Sequence, residues 1–257
     1  MNRTPSDTAT AEFAHCWAAA GRHLDQRLEG ADAAWMRAQL APPFLEHLSF
    51  RLGNQLVFVR LEDVDGTLEV PASRADLERI AAACEGIACL MPMRHRDGAW
   101  EPAETGWGLL DVATGAAVDP AALASDAPVE MSVWELQDVA VQVVRRALEQ
   151  QGVEILSWQA DPDQHPSIWF NGEAGPEWVV VGFARYPQRD AYHPADMDAI
   201  AARCAPQARR GHFASVGLAS SGEAEGGSAA GEPLPLLRGV PLMVAFSGLA
   251  EHNPQHK

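Results

Sequence analysis

A mixed α/β fold in two domains is predicted by three features of the 257-residue chain. Stretches with apolar residues at helical spacing alternate with runs of β-branched and aromatic residues. Turn residues, chiefly Gly, Pro, Asn and Asp, bound most of these runs. A connection rich in Ala, Asp and Pro, residues 118–128, separates two segments that each mix helices with strands. The expected domains are an N-terminal α/β domain over residues 1–125 and a second domain over residues 126–257.

The first helix is expected over residues 11–28, where Phe13, Cys16, Trp17, Ala20 and Leu24 recur on one face. Trp35, Met36 and Leu40 predict a second, short helix ended by Pro42 and Pro43. HLSFRLGNQLVFVRL, residues 47–61, alternates apolar and polar residues around Gly53-Asn54 and reads as a β-hairpin with a type II′ turn. Ser73 caps the next helix, with Asp76 in a capping-box-like position and Gly86 as its stop. Its apolar face carries Leu77, Ile80, Ala81 and Cys84. IACLMPM, residues 87–93, reads as a buried strand; Asp97-Gly98 turns the chain, and GWGLLDV, residues 106–112, reads as a further strand.

The strongest helical stripe follows Ser132, with Leu136, Val139, Ala140, Val143, Val144, Ala147 and Leu148 on one side and Gly152 as terminator. Residues 153–159, 166–170 and 177–186 then read as three strands of an antiparallel meander. A helix over residues 194–204 places Met197, Ile200, Ala201 and Cys204 on its apolar face. Residues 212–220 and 239–249 read as closing strands. Between them SGEAEGGSAAGE has the composition of a flexible loop, near residues 220–233, and EHNPQHK reads as a loose tail. No internal repeat of fixed period is visible, and no motif of one half matches the other.

The formal charge of -16 repels polyanions at long range and favours a basic partner. It weighs against nucleic-acid binding, since Lys and Arg supply most of the sequence-independent affinity for phosphates. The opening MNRTPSDTAT lacks the basic-then-apolar pattern of a signal peptide, and no run of about 18 apolar residues occurs, so a cytoplasmic protein without membrane spans is expected. The four cysteines, Cys16, Cys84, Cys89 and Cys204, are scattered without metal-ligand spacing and read as reduced, buried thiols.

The order helix, three-stranded meander, helix, strand over residues 132–220 resembles the core of the restriction-endonuclease-like, or PD-(D/E)xK, superfamily. The resemblance implies a restriction-endonuclease-like second domain and a possible metal site. In that family an aspartate after a proline on the second strand, and an acid followed two residues later by lysine on the third, hold a divalent cation beside a phosphate. Here Pro166 is followed by Ser167, and the third strand offers Gly182 and Ala184, or Phe183 and Arg185 in the neighbouring register. The resemblance therefore implies a nuclease-like frame with eroded ligands. A rebuilt site would draw on Asp163 and Glu177 as Mg ligands, with Arg185 beside them. Glu135 stands where some relatives carry an auxiliary acid, but Ser132-x-x-Glu135 is equally a capping box. Asp161 and Asp163 suit a turn, and Glu173 a solvated one.

Other chemistry is weaker. His165 and His212 are candidate bases, and Cys204 with His212 a candidate nucleophile pair, but no local signature accompanies them. HRDG, residues 95–98, lacks the Gly-rich loop and strand lysine of a kinase. Trp158, Trp169, Trp178 and Tyr186 lie on or near the meander, where aromatics form either core or a binding surface. The leading expectation is a non-catalytic binding or regulatory protein without cofactor, whose partner is another, basic protein. The alternative is a Mg-dependent nuclease acting on nucleic acid through Asp163, Glu177 and Arg185.

Overall fold

The computed structural model describes residues 10–37, 47–71, 73–223 and 233–252. The chain is mixed α/β and divides into two compact units, Met1–Val129 and Glu130–Lys257. In the first unit α1 (Ala11–Leu28) starts at Thr10, whose side chain accepts the Phe13 N–H at 3.1 Å. Strands β1 (Ala33–Arg37), β2 (Leu48–Leu52) and β3 (Gln55–Asp63) form an antiparallel meander. Helix α2 (Arg74–Ala83), capped by Ser73 as the sequence predicts, carries the chain to β4 (Ile87–Arg96), which lies parallel to β3. β5 (Ala99–Pro102) and the short β6 (Leu110–Asp111) both pair with β4.

The apolar stripe of α1 packs on one sheet face with Leu48, Phe50, Val57, Val59, Met91 and Met93. Helix α2 packs on β3 and β4, with Leu77 and Ala81 buried. The hairpin between β2 and β3 turns as expected, Gly53 taking a positive φ of 56°. Beside it the buried Asn54 donates to Ser125 Oγ at 3.1 Å and Ala127 O at 2.9 Å and accepts from Ser125 N. That side chain ties residues 125–127 to the first unit, which therefore runs to Val129 and includes the short α3 (Pro120–Leu123).

Two expectations change here, and the expected turn at Asp97-Gly98 gains a strand. Trp35 and Met36 lie in strand β1 rather than a helix; Leu40, Pro42 and Pro43 lie outside the described residues. Asp97 and Gly98, with φ of 52° and 82°, make the tight turn of a hairpin whose second strand is β5, four residues with Trp100 buried. Of residues 106–112, only Leu110 and Asp111 pair as a strand.

In the second unit α4 (Val133–Gln150) precedes the meander of β7 (Glu154–Trp158), β8 (Ile168–Gly172) and β9 (Gly175–Arg185). Helix α5 (Met197–Cys204) leads to β10 (Gly211–Ser220), parallel to β9, and β11 (Leu242–Glu251) pairs antiparallel with β10. The sheet order is β11-β10-β9-β8-β7. Helix α4 covers Ile168, Phe170, Val179, Val181, Ala214 and Val216, and α5 covers Trp178, Val180 and Phe213 on the other face. The expected loop near residues 220–233 falls mostly outside the described residues, as do residues 253–257 of the tail; Glu251 closes β11.

Both units thus run helix, three-stranded meander, crossover helix, parallel strand, antiparallel strand. The repeat is one of topology, which is why no sequence period announces it. One local device recurs: a glycine sits where the chain enters the parallel strand, under an aromatic ring of the strand before the crossover helix. A Cβ on Gly86 would stand 2.6 Å from the Phe58 ring, and one on Gly211 2.0 Å from the Trp178 indole. A side chain there would push the ring off the parallel strand.

Gly211→Ala is expected to cost about 1–3 kcal/mol through displacement of Trp178, read as a lower urea midpoint with tryptophan emission shifted to longer wavelength. The four cysteines are buried. Burial pushes the Cys16 and Cys89 thiols up to about 12 from their ordinary 9.0. Between those values the unfolded chain has lost these protons and the native chain has kept them, so stability falls as pH rises from about 9 to about 12. Below that window a disulfide-exchange reagent should label these two thiols only on unfolding.

Candidate functional site

The residues proposed for a metal site stand on β9 and in the turn before β8. Asp163 is exposed in that turn, where its N–H donates to Asp161 Oδ1 at 3.0 Å. Asp161 also accepts Gln164 Nε2 at 3.1 Å, so both aspartates belong to a self-bonded turn. Glu177 stands in the middle of the β8–β9 ladder, opposite Phe170. Arg185 ends β9, about eight steps of roughly 3.3 Å from Glu177, or about 26 Å. It is exposed and paired with Glu130. The structure does not bring Asp163, Glu177 and Arg185 together, and the cause is strand direction. Residues spread along one extended strand cannot converge on one ion.

The positions where the nuclease-like pattern would carry its ligands hold other work. β9 runs on past the start of β8, so Val181 has no ladder partner on that side. Ser167 Oγ accepts the Val181 N–H at 3.2 Å, and Gln137 Nε2 of α4 donates to Val181 O at 2.9 Å. Both groups are buried and both complete the sheet. A Cβ on Gly182 would stand 3.1 Å from Ala191 Cβ and 3.2 Å from the Phe213 ring. Ala184 is buried as well. A carboxylate at Gly182 would have to displace the chain that roofs it.

Glu177 is nonetheless a buried carboxylate with partners. Its Oε2 lies 2.6 Å from His212 Nε2 and its Oε1 accepts Arg210 Nη1 at 3.3 Å. Arg210 also reaches Glu251 Oε1 at 3.1 Å. The cluster joins β9, β10 and β11 at one end of the sheet, and Gly172 leaves it room, since a Cβ there would lie 2.1 Å from the Glu177 carboxylate. Parallel pairing of Gly211 with Trp178 and of His212 with Val179 makes the contact. His212 faces the α4 side, against Phe170 at 5.8 Å, whereas Cys204 packs with Trp178 on the α5 side. The two therefore cannot act as nucleophile and base, and burial also raises the Cys204 thiol above its ordinary value. Burial likewise lowers the His165 imidazole, with the Asp196 charge opposing.

Glu135 resolves as a cap with a second task. Its Oε2 accepts the Ser132 N–H at 2.8 Å, and its own N–H donates to Ser132 Oγ at 3.2 Å, completing the capping box. Arg238 grips the same carboxylate through Nε at 2.9 Å and Nη2 at 3.0 Å, both side chains being 3% exposed. Sequence reasoning reached the cap and missed the arginine, which stands about a hundred residues away in a Pro- and Leu-rich segment with no charge pattern. The tryptophans are core or half-buried, with Trp178 fully covered and its indole N–H donating to Ala208 O at 3.2 Å. Tyr186 is 47% exposed and lies beside a groove of about 730 Å³.

Among the described residues, no group of three or more His, Cys, Asp and Glu side chains is placed to hold a metal ion. A family model described as a domain of unknown function (DUF8840) matches residues 134–252. No curated protein and no solved structure matches the chain. The matched stretch begins on α4 and ends just past β11, so it takes in Glu135, Glu177, His212, Arg238 and the groove. No helix among the described residues is long and apolar enough to cross a membrane.

Arg238→Met leaves the Glu135 carboxylate buried without its cation and is expected to cost about 3–5 kcal/mol. The double variant Glu135→Gln with Arg238→Met should recover part of that loss, measured as a urea unfolding midpoint against the single variant.

Proposed function

We propose that the protein acts by binding another protein, a basic one, in the cytoplasm, and that its second unit keeps a nuclease-like order of elements without metal-dependent cleavage. One observation carries this reading. The positions that would ligate a cation are committed to the fold: Ser167 to the Val181 N–H, and Gly182 to contact with Ala191 and Phe213. The nearby acids are also engaged, Glu177 with His212 and Arg210, and Glu135 with Ser132 and Arg238.

The element order adds no weight toward catalysis. It occurs in both units, and an order of helices and strands is an architecture that many activities share. Charge supports a cationic partner, since a net charge of -16 speeds encounter with a basic surface and slows encounter with nucleic acid.

The test is incubation of the purified chain with single- and double-stranded DNA and RNA in Mg²⁺ and in Mn²⁺. No cleavage above a metal-free control is expected. Cleavage that disappears in Asp163→Ala or Glu177→Ala, with the far-UV spectrum of the variant intact, would overturn the reading in favour of a nuclease.

A further inference from the structure

Strand β11 is the outer strand of its sheet, and among the described residues no strand pairs with its free side. Its sequence, LMVAFSGLAE, contains no charge before Glu251. Much of it faces solvent, with Met243 38% and Val244 43% exposed. Soluble proteins guard such edges with Lys, Pro, short length or bulges, because a free edge is a template for another strand. Here ten residues carry one irregularity, a register shift across from Ala214 and Val216 where Gly248 takes a φ of 106°. Leu242–Phe246 pair with β10 in unbroken register on the other side of that shift.

A groove of about 730 Å³ runs beside this stretch on the α5 face. Small residues of the two strands make its floor, among them Ser215, Gly217 and Ala245, and Met243 lies at its border. The wall is the segment from Tyr186 to Asp190, held over β10 by the Ala191 N–H donating to Ser215 Oγ at 2.9 Å. Arg189 O would lie 3.0 Å from a Cβ on Gly217, so the segment sits close on the sheet. An extended chain laid along β11 would hydrogen-bond to the edge and place alternate side chains over a shallow, small-residue surface.

We infer that the free edge of β11 is the docking site for an extended segment of a basic partner protein, added to the sheet as a further strand with small apolar side chains toward the groove and Lys or Arg toward solvent. The occupant is chosen by charge. A second copy brings another -16 and is repelled at long range, whereas a cationic segment is drawn toward the molecule. The inference rests on the binding reading above and names the surface and the partner chemistry for it.

The test titrates the full chain against a synthetic peptide of the length of β11 that alternates Val or Ala with Lys, and against the same peptide with Glu in place of Lys. Fluorescence anisotropy reads affinity, and amide hydrogen exchange reads protection along residues 242–251. The Lys peptide is expected to bind, to protect β11, and to weaken as salt is raised. Val244→Lys, at an exposed position, should weaken it by roughly tenfold with an unchanged unfolding midpoint. Binding without β11 protection, equal binding of the Glu peptide, or an unaffected Val244→Lys would overturn the assignment. So would a concentration-dependent dimer in sedimentation that Val244→Lys abolishes, because the edge would then belong to a second copy. Failure of these peptides with no cleavage in metal removes the β11 site and leaves the binding reading, whereas metal-dependent cleavage removes the binding reading itself.

Discussion

The carboxylate of Glu135 is asked to do two things at once, and the second unit is arranged around its doing them. It closes the capping box that starts α4, and it neutralises Arg238, which arrives from the segment before β11. Because both side chains are buried, neither charge can be left alone without a desolvation cost of several kcal/mol. The pair therefore acts less as a source of net stability than as a lock on chain path. With Arg238 in place, the Met131 N–H donates to Leu236 O at 2.8 Å and Leu236 enters the core beside α4. The chain then turns into β11 with its position beside β10 already determined.

A second constraint operates in both units, where a strand must return parallel to the one before the crossover helix. Parallel return needs a helix on one face, and that helix must sit close enough to bury its apolar side. In the second unit Trp178 fills the space under α5, and Gly211 makes way for it; in the first, Phe58 and Gly86 play the corresponding parts. The topology recurs while the residues that meet it differ, a tryptophan in one place and a phenylalanine in the other. That is why the repeat escaped a search for matching motifs. The helices of residues 11–28, 74–83 and 133–150 were legible because burial imposes a period of 3.6 on each. β1 was not, because Trp35 and Met36 are adjacent and with Leu40 mimic one helical turn, and β5 was not, because four residues with one buried side chain carry no period.

The candidate site was less legible for a physical reason that concerns the sheet. Asp163, Glu177 and Arg185 lie within a short span of sequence, yet an extended chain separates such residues instead of gathering them. The partners that Glu177 does find, His212 of β10 and Arg210 just before it, are brought to it only by the parallel register. Ser167 read as a lost aspartate, but the overhang of β9 beyond β8 makes a buried hydroxyl necessary there, because the Val181 N–H would otherwise have no acceptor. Residue identity was visible in the sequence; the geometry that explains each identity was not.

The last strand carries the sharpest conflict between pattern and place. GVPLMVAFSGL reads as a strand covered on both faces, since nearly every position is apolar or small. A strand open to water on one face ordinarily alternates, and an edge strand ordinarily carries charge. β11 does not alternate, carries no charge before Glu251, and stands at the edge with Met243 and Val244 in solvent. Leu242, Phe246 and Leu249 are accounted for by the core they touch under α4. The residues that alternate with them are not accounted for by anything the described chain places there, and in a protein of this net charge Lys or Glu at those positions would have cost the fold nothing. A ten-residue edge strand with no charge before Glu251 and one free side among the described residues is best explained as a surface shaped for a further strand to cover.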